Sequence, residues 1–259
     1  MRVDLHNHTP LCNHATGEPR EYVLKAIKEG ISIFGFSDHA PMDFDTKYRM
    51  SFKDMANYEE EILNLKDEFK EQIDIRLAYE VDYLPEHMDS RVLNANVDYL
   101  IGSVHFINKW GFDNPEFIGE YKNRDIDTIW QEYFDAIEQM AKSGYFNIVG
   151  HLDLIKVFNY KPKKDIKIIA QNALKAIKSS NMAVEINVAG FRKPVKEQYP
   201  SIELLQMCKK LDIPITFASD AHKVEDIGFK YKEALSIAKD IGYNSCVSFI
   251  NKEMLLHKF

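Results

Sequence analysis

Short segments rich in β-branched and aromatic residues alternate along this chain with longer segments of helical period, and this alternation is its most constraining feature. Seven of the short segments are predicted as strands: residues 2–8, 31–37, 73–81, 99–105, 147–151, 183–188 and 214–219. A helix is predicted over residues 19–29, and further helical patterns follow Ser51-x-x-Asp54 and run from Ile129 to Met140. Strands that alternate with helices form parallel βα units, so the sequence predicts a closed or nearly closed α/β barrel.

The length of the chain agrees with this architecture. An α/β barrel uses about 250 residues as one unit, and this chain has 259. No Gly/Ser-rich linker, charge block or repeat divides it, so residues 1–259 are predicted to form a single domain. A weaker strand pattern over residues 245–250 leaves two options open: an eighth strand at the barrel edge, or a segment packed beneath it.

Composition excludes several classes of partner. Lys and Arg number 33 against 40 Asp and Glu, giving a net charge of −7, so no basic surface for nucleic acid is indicated. The three cysteines, Cys12, Cys208 and Cys246, are odd in number and far apart, which favours reduced thiols rather than a disulfide framework. With neither an apolar leader nor an apolar stretch of about 18 residues, we expect a cytoplasmic protein without a membrane contact.

Histidines concentrate where the predicted strands end. His6 and His8 lie two apart at the end of the first strand, where alternate side chains share a face. Of nine histidines, seven occupy such positions: His6, His8, His14, His39, His105, His151 and His222. Glu80 ends the third predicted strand, and Asp220 ends the seventh together with His222. Barrel enzymes assemble their sites at this end of the strands, so metal binding explains the clustering better than separate hydrogen-bonded core histidines do.

The donor types restrict the metal. Imidazole and carboxylate together suit zinc, iron or manganese, and the near absence of cysteine at these points argues against a closed structural zinc site. One catalytic zinc takes about three protein ligands. The candidate ligands therefore predict two or three divalent ions, whose identity the sequence leaves open.

Five short motifs carry a family resemblance. They are Asp4-Leu5-His6-Asn7-His8, Phe36-Ser37-Asp38-His39, Gly102-Ser103-Val104-His105, Gly150-His151-Leu152-Asp153 and Ala218-Ser219-Asp220-Ala221-His222. Through them nearly the whole chain resembles the polymerase and histidinol phosphatase (PHP) family. The resemblance implies a distorted TIM-like (β/α)7 barrel of the α/β class, with a metal cluster at the C-terminal ends of the strands.

The resemblance also implies how the ligands are shared. One metal would be held by His6, His8, Glu80 and Asp220, a second by Glu80, His105 and His151, and a third by His14, His39 and His222. Asp38 and Asp153 lie beside or two residues from a ligand histidine, so we expect them to orient ligands rather than to bind metal.

Clustered cations suit phosphoester hydrolysis, because they lower the pKa of a bridging water and neutralise phosphate oxygens. The expected reaction is in-line attack of a metal-bridging hydroxide on phosphorus, without a phosphorylated side chain. Asp153, Arg192 and His222 are the candidate catalytic residues. The general acid stays open between a metal-bound water, Asp153 and a histidine.

The segment Asn187-Val188-Ala189-Gly190-Phe191-Arg192-Lys193-Pro194, followed by Tyr199-Pro200-Ser201, looks like the histidinol phosphatase branch of the family. That branch implies hydrolysis of L-histidinol phosphate in histidine biosynthesis, with Arg192 on the phosphate. Lys156 stands where the branch tends to have a basic residue. Charge complementarity makes Glu185 and Asp43 or Asp45 candidates for the substrate's ammonium and imidazole groups.

Two other functions compete with this prediction. One is a phosphoesterase of broader specificity in the same family, such as a nuclease or the phosphoesterase part of a polymerase. The chain has neither a polymerase module nor a basic groove, which counts against both examples. The other is a non-catalytic, regulatory metal-binding barrel, although structural metal sites are usually closed. The partner expected in the first case is a small phosphate ester, and the oligomeric state stays open.

Overall fold

The computed structural model describes residues 1–259, and its centre is a parallel sheet of seven strands. The strands of the molecule are β1 (Val3–Asp4), β2 (Ile33–His39), β3 (Asp74–Asp82), β4 (Tyr99–Ser103), β5 (Phe106–Ile107), β6 (Trp110–Gly111), β7 (Ile148–Val149), β8 (Ala183–Asn187), β9 (Ile215–Ala218), β10 (Ser245–Ile250) and β11 (Glu253–Lys258). The central sheet runs in the order β1-β2-β3-β4-β7-β8-β9, so the seven predicted barrel strands are confirmed.

The sheet closes into a nearly complete barrel through the residues that follow β1. The predicted first strand, 2–8, is regular only over Val3–Asp4. The residues that follow it still form single backbone hydrogen bonds to the segments on both sides. The Leu5 N–H donates to the Phe217 carbonyl at 3.0 Å, and the Asp220 N–H donates to the His6 carbonyl at 2.7 Å. The Ser37 N–H bonds to the Asn7 carbonyl on the other side. The segment carrying His6 and His8 is therefore fixed between β2 and β9.

Helices cover the outside of the sheet. They are α1 (Pro19–Lys28), α2 (Met55–Glu68), α3 (Ser90–Leu93), α4 (Glu120–Asn123), α5 (Ile126–Lys142), α6 (Ile166–Ser179), α7 (Ile202–Lys210) and α8 (Tyr231–Ile241). The longest, α5, begins where the Asp125 carboxylate accepts the Thr128 N–H, and it buries Ile129, Tyr133, Ile137 and Met140 against the core. None of the helices has the combination of length and apolar character that crossing a bilayer requires.

The C-terminal residues form an antiparallel hairpin, β10–β11, outside the barrel sheet. Its turn lies beneath the starts of β4 and β7, where the Lys252 N–H donates to the Asp98 carbonyl and Asn147 Nδ2 donates to the Lys252 carbonyl. Val247 and Phe249 are buried against that end. The weak eighth strand therefore exists, but it packs beneath the barrel and does not join its edge.

A second hairpin, β5–β6, was absent from the sequence predictions. It follows β4 directly, and its turn residues Asn108 and Lys109 both have positive φ angles, of 52° and 73°. Two central residues with positive φ are what a tight two-residue hairpin requires. Phe106 and Gly111 of this hairpin contribute to the wall of the cavity described below.

The barrel interior leaves no room for a side chain at position 35. A Cβ built on Gly35 would overlap the Tyr99 hydroxyl, which donates to the Leu5 carbonyl at 2.6 Å. We expect Gly35→Ala to lower the free energy of unfolding by about 2 kcal/mol, since overpacking forces backbone shifts. Urea denaturation measures this, with Gly119→Ala as the control, because nothing lies within 4 Å of the Cβ added there. Equal midpoints for the two variants would contradict the argument.

Candidate metal centre

A cavity of about 570 Å³ opens at the carboxyl ends of the barrel strands. Most of the predicted ligands line it: His14, His39, Glu80, His105, His151, Asp220 and His222. His6 and His8 lie fully buried directly behind them. The fold therefore brings all nine predicted ligands to one place, although they are spread over more than 200 residues of sequence.

Within this cluster the donor atoms fall into small groups. Three groups have all their donor atoms within 4.8 Å of one another: His6, His8 and Glu80; Glu80, His105 and His151; and His14, His39 and His222. Asp220 adjoins the first group, with its Oδ1 at 3.3 Å from His8 Nε2. A fourth group contains Cys12 with His8 and His222. The Cys12 thiol donates to the Thr9 carbonyl, however, and burial raises its pKa, so it is a poor ligand.

Several histidine ring nitrogens lie close to carboxylate oxygens of the cluster without forming hydrogen bonds to them. His6 Nε2 lies 3.3 Å from Glu80 Oε2, and His39 Nδ1 lies 3.0 Å from the same oxygen, yet neither pair has hydrogen-bond geometry. Nε2 of His8 and of His222 are likewise buried without a partner. Buried polar atoms are nearly always hydrogen-bonded, and each unmade bond costs stability. Nitrogen lone pairs directed at a shared space beside carboxylates fit divalent metal ions.

Two of these residues adopt backbone conformations that their side chains disfavour. His151 has a φ of 23° and Asp220 a φ of 49°, although neither is glycine. Such conformations persist where the surrounding structure imposes them, and they are frequent at functional sites. Here they turn the chain directly after β7 and β9, so that both side chains enter the cluster.

Burial and neighbouring charges shift the pKa values of the cluster's carboxylates and imidazoles in different directions. Burial opposes ionisation of Glu80 and Asp220, but the adjacent histidines hold the pKa of both well below their usual range. Burial lowers the pKa of His39 to about 4. Burial acts in the same direction on His105, but Asp82 outweighs it and raises the pKa of His105 to about 10. A metal ion that binds at His105 therefore displaces a proton.

Carboxylates behind the cluster hold three of the rings from their far side. His6 Nδ1 lies 2.9 Å from Glu185 Oε2, His8 Nδ1 lies 3.3 Å from Asp38 Oδ1, and His105 Nδ1 lies 2.6 Å from Asp82 Oδ1. Such carboxylate–histidine pairs fix the orientation of the ring and leave the other nitrogen free for a metal. Asp38 therefore lies against His8, one of the predicted ligands.

Asp82 provides a test of this supporting layer. Its second oxygen is paired with Arg49 Nη1 at 2.7 Å, so the carboxylate is held between Arg49 and His105. We expect Asp82→Asn to weaken metal binding by about 10- to 100-fold, because His105 loses its orienting anion. Titration of the metal-free protein with zinc measures the effect. Asp89→Asn, which changes a partly exposed aspartate paired with Arg91 outside the cavity, serves as the control; equal affinities in the two variants would contradict the prediction.

Arg192 lines the same cavity as the carboxylates of β3. Its Nη2 donates to the carbonyls of Ser219 and Asp220, both at 2.8 Å, and its Nε lies 3.6 Å from Asp226. The remaining nitrogen, Nη1, is buried and has no partner. The guanidinium is thus anchored on one side and keeps one donor free beside the metal-ligand cluster.

Two predicted site residues require correction. Lys156, expected to contact substrate, is fully buried, with its Nζ 2.9 Å from Asp153 Oδ2, 3.2 Å from Glu197 and 2.8 Å from the Gln198 carbonyl. Asp153, a candidate general acid, uses the same oxygen to accept the Ser201 N–H. Neither residue lines the cavity. The pair is an internal ion pair that fastens the segment 197–201.

The two acidic candidates for substrate contact are also placed differently. Glu185 is completely buried and lies behind His6, where it also accepts the His151 N–H, so it supports ligands rather than facing the cavity. Asp43 is 72% exposed and paired with His87, outside the cavity. The alternative, Asp45, does line the cavity, close to Arg49.

The sequence did not lead us to Asp82, to Asn187 or to the residues of the β5–β6 hairpin that line the cavity. Asp82 lies two residues after Glu80, and the period of two in β3 places both on one face, so this signal was available. Asn187 Nδ2 donates to Glu185 and to Asp220, joining two carboxylates that are far apart in sequence. Nothing in the local pattern indicates that contact.

Comparison with known proteins agrees with this geometry. The model of the PHP domain matches residues 4–189. A protein of Deinococcus radiodurans named "Probable histidinol-phosphatase" is 40% identical over 97% of both chains. The histidinol-phosphatase of Bacillus subtilis is 30% identical, over 91% of this chain and 98% of its own. The chain therefore belongs to the PHP domain family.

A solved structure extends the comparison to three dimensions. The crystal structure of histidinol phosphate phosphatase from Lactococcus lactis, complexed with zinc, L-histidinol and phosphate, superposes with a TM-score of 0.80. The match covers 98% of both chains at 25% identity. The barrel described above is thus the fold of that protein, and the resemblance inferred from the five motifs is confirmed.

Proposed function

We propose that this protein is a metal-dependent phosphatase that hydrolyses L-histidinol phosphate to L-histidinol and phosphate. The observation that carries the proposal is one cavity lined both by the converging imidazole and carboxylate donors and by Arg192, whose buried Nη1 has no partner in the protein. Metal ligands and a guanidinium are the groups that bind a phosphate ester. The relatives named above, which match nearly the whole chain, support the choice of ester.

The ligand sets support two or three divalent ions, of zinc, manganese or iron. His6, His8, Glu80 and Asp220 would hold one, Glu80, His105 and His151 a second, and His14, His39 and His222 the third. When bound, such ions lower the pKa of a coordinated water and neutralise the charge of phosphate oxygens. Glu80 would be shared, since its Oε2 faces His6 and His39 while its Oε1 lies 3.0 Å from His151.

The residues of the chain would position the ester. Arg192 would bind a phosphoryl oxygen through Nη1, and its anchorage to two carbonyls keeps that donor in place without a conformational search. His222 lies at the partly exposed rim of the cluster, and burial keeps its pKa well below the ordinary value. A neutral His222 suits metal binding better than proton donation, and its ring lies in one group with His14 and His39, so we assign it to the third metal set.

The leaving-group end of the substrate would lie against another part of the cavity wall. Besides the predicted metal ligands and Arg192, the cavity is lined by Tyr48, Phe106 and Phe117 and by Asp45 and Asp113, and we assign the leaving group to them. L-Histidinol has an ammonium group and an imidazole ring. Carboxylates and aromatic faces are the surfaces that recognise such groups.

Phosphate release tests the proposal. Metal-free protein is reconstituted with manganese, zinc or iron and assayed on L-histidinol phosphate beside a nucleotide, a sugar phosphate and a phosphodiester. We expect a strong preference for L-histidinol phosphate that a chelator abolishes and added metal restores. Similar rates on several esters would instead indicate a broad phosphoesterase, and no release by metal-loaded protein would indicate a non-catalytic barrel.

A further inference from the structure

Tyr199 lies on the segment that crosses the end of β8, and its backbone is held from both sides. Its N–H and carbonyl exchange hydrogen bonds with Asn187, at 2.9 and 2.7 Å. The preceding carbonyl, of Gln198, accepts from the buried Lys156 Nζ at 2.8 Å. The Glu197 carbonyl packs so closely over Gly190 that a Cβ there would overlap it. These contacts fix the backbone position of Tyr199, from which its ring projects.

The hydroxyl of Tyr199 differs from that of every other buried tyrosine. The other seven each donate to a named acceptor: Tyr22, Tyr58, Tyr79, Tyr99, Tyr121, Tyr133 and Tyr243. The Tyr199 residue is only 1% exposed, and its hydroxyl has no partner. Buried phenols usually find an acceptor. Here the acceptor is missing from the protein itself.

The same side chain lines the metal-ligand cavity. Tyr199 borders it together with Arg192 and His151, and its ring centroid lies 6.3 Å from that of His151, edge to face. Arg192 and Tyr199 come from the two ends of one loop, which follows β8. Each presents one buried donor that no protein atom accepts, Nη1 in one case and the hydroxyl in the other.

We propose that the Tyr199 hydroxyl donates a hydrogen bond to a phosphoryl oxygen of the bound ester, beside the oxygen held by Arg192 Nη1. Phosphoryl oxygens accept hydrogen bonds and carry negative charge, which strengthens them as acceptors. An ammonium group could only donate to the phenol oxygen, which would leave the buried O–H without an acceptor, whereas a phosphoryl oxygen accepts from it. The inference rests on the proposed function for the identity of the ester. The two donors, Arg192 Nη1 and the Tyr199 hydroxyl, would also bind inorganic phosphate.

This assignment predicts opposite effects on stability and on binding. Removing a satisfied hydroxyl from the core lowers stability, whereas removing an unsatisfied one does not. Tyr243→Phe is the matched control, because the Tyr243 hydroxyl donates to the Ile213 carbonyl at 3.1 Å and lies outside the cavity. We expect Tyr199→Phe to keep or raise the melting temperature, and Tyr243→Phe to lower it.

The decisive measurement is the affinity of metal-loaded protein for inorganic phosphate, by calorimetry, with the metal content of each sample determined. We expect Tyr199→Phe to weaken phosphate binding by about tenfold at unchanged metal content, and Tyr243→Phe to leave it unchanged. Equal phosphate affinity in wild type and Tyr199→Phe would overturn the inference. A fall in melting temperature as large as that of Tyr243→Phe would also overturn it, since the hydroxyl would then have an internal acceptor.

The same samples separate this inference from the proposed function. If wild-type protein does not hydrolyse L-histidinol phosphate but Tyr199→Phe still weakens phosphate binding, the substrate assignment is wrong and the role of Tyr199 in phosphate binding is supported. If wild type hydrolyses L-histidinol phosphate and Tyr199→Phe matches it in both kcat/KM and phosphate affinity, the function stands and the role of Tyr199 fails.

Discussion

Glu80→Gln will lose phosphatase activity by about 1,000-fold or more in kcat/KM, the largest effect we expect from a single substitution. Both oxygens of Glu80 face donor atoms: Oε2 lies near His6 and His39, and Oε1 lies 3.0 Å from His151 and accepts from the Ser103 hydroxyl at 2.6 Å. Glutamine keeps the shape but removes the negative charge and replaces one oxygen by a donor. Adjacent ions would then lose a shared anionic ligand.

Steady-state kinetics on L-histidinol phosphate and metal analysis of the purified variant measure this effect. We expect lower metal content with unchanged far-UV circular dichroism, because neighbouring strands fix the backbone of β3 along its length. Glu59→Gln is the control: it makes the same chemical change on α2, where Glu59 accepts from the Tyr79 hydroxyl away from the cavity. A Glu80→Gln protein with full metal content and near-normal activity would contradict a shared ligand.

Arg192→Ala will lower kcat/KM for L-histidinol phosphate by about 100-fold, because the phosphate loses a charge-assisted, pre-positioned donor. Metal content should not change, since Arg192 contacts the carbonyl of Asp220 rather than its carboxylate. The weaker binding should also appear as a higher inhibition constant for inorganic phosphate.

Arg192→Lys separates charge from geometry. Lysine keeps the positive charge but cannot contact the carbonyls of Ser219 and Asp220 and the phosphate through a planar fork, so we expect only partial recovery. Arg20→Ala, which removes an exposed arginine paired with Glu68, should leave both constants unchanged. If the Arg192→Ala variant keeps the wild-type KM and the wild-type inhibition constant for phosphate, Arg192 does not bind the phosphate.

The barrel was predictable from sequence because each strand is a short apolar run that ends in a polar motif. Periodicity could not show where β10 goes, since Val247 and Phe249 are apolar in either setting. Their burial beneath the barrel depends on the turn at Lys252, whose N–H bonds to Asp98. That contact joins residues 154 positions apart. The β5–β6 hairpin escaped prediction because its Asn108-Lys109 turn lacks the glycine typical of such turns.

For the site, the donors on the strand ends were predictable, whereas the environment of charged residues in the loops was not. Lys156 and Arg192 look alike in sequence, as cations a few residues after a strand. The fold buries Lys156 against Asp153 and Glu197 and leaves one Arg192 nitrogen free. Whether such a cation is paired internally or keeps a donor free thus depends partly on residues far away in sequence, such as Glu197. The same reasoning applies to Asp43, which the fold pairs with His87 at the surface.

The short β5–β6 hairpin and the residues that follow it, up to Phe117, form a wall that is not part of the central sheet. If this wall receives the leaving group as proposed, the residues that select the ester and the residues that hold the ions lie largely in different stretches of the chain. An exchange of residues 106–117 would then change which ester is admitted and leave the ligand set as it is. We therefore expect that grafting this stretch from one relative into another changes selectivity before it changes metal content.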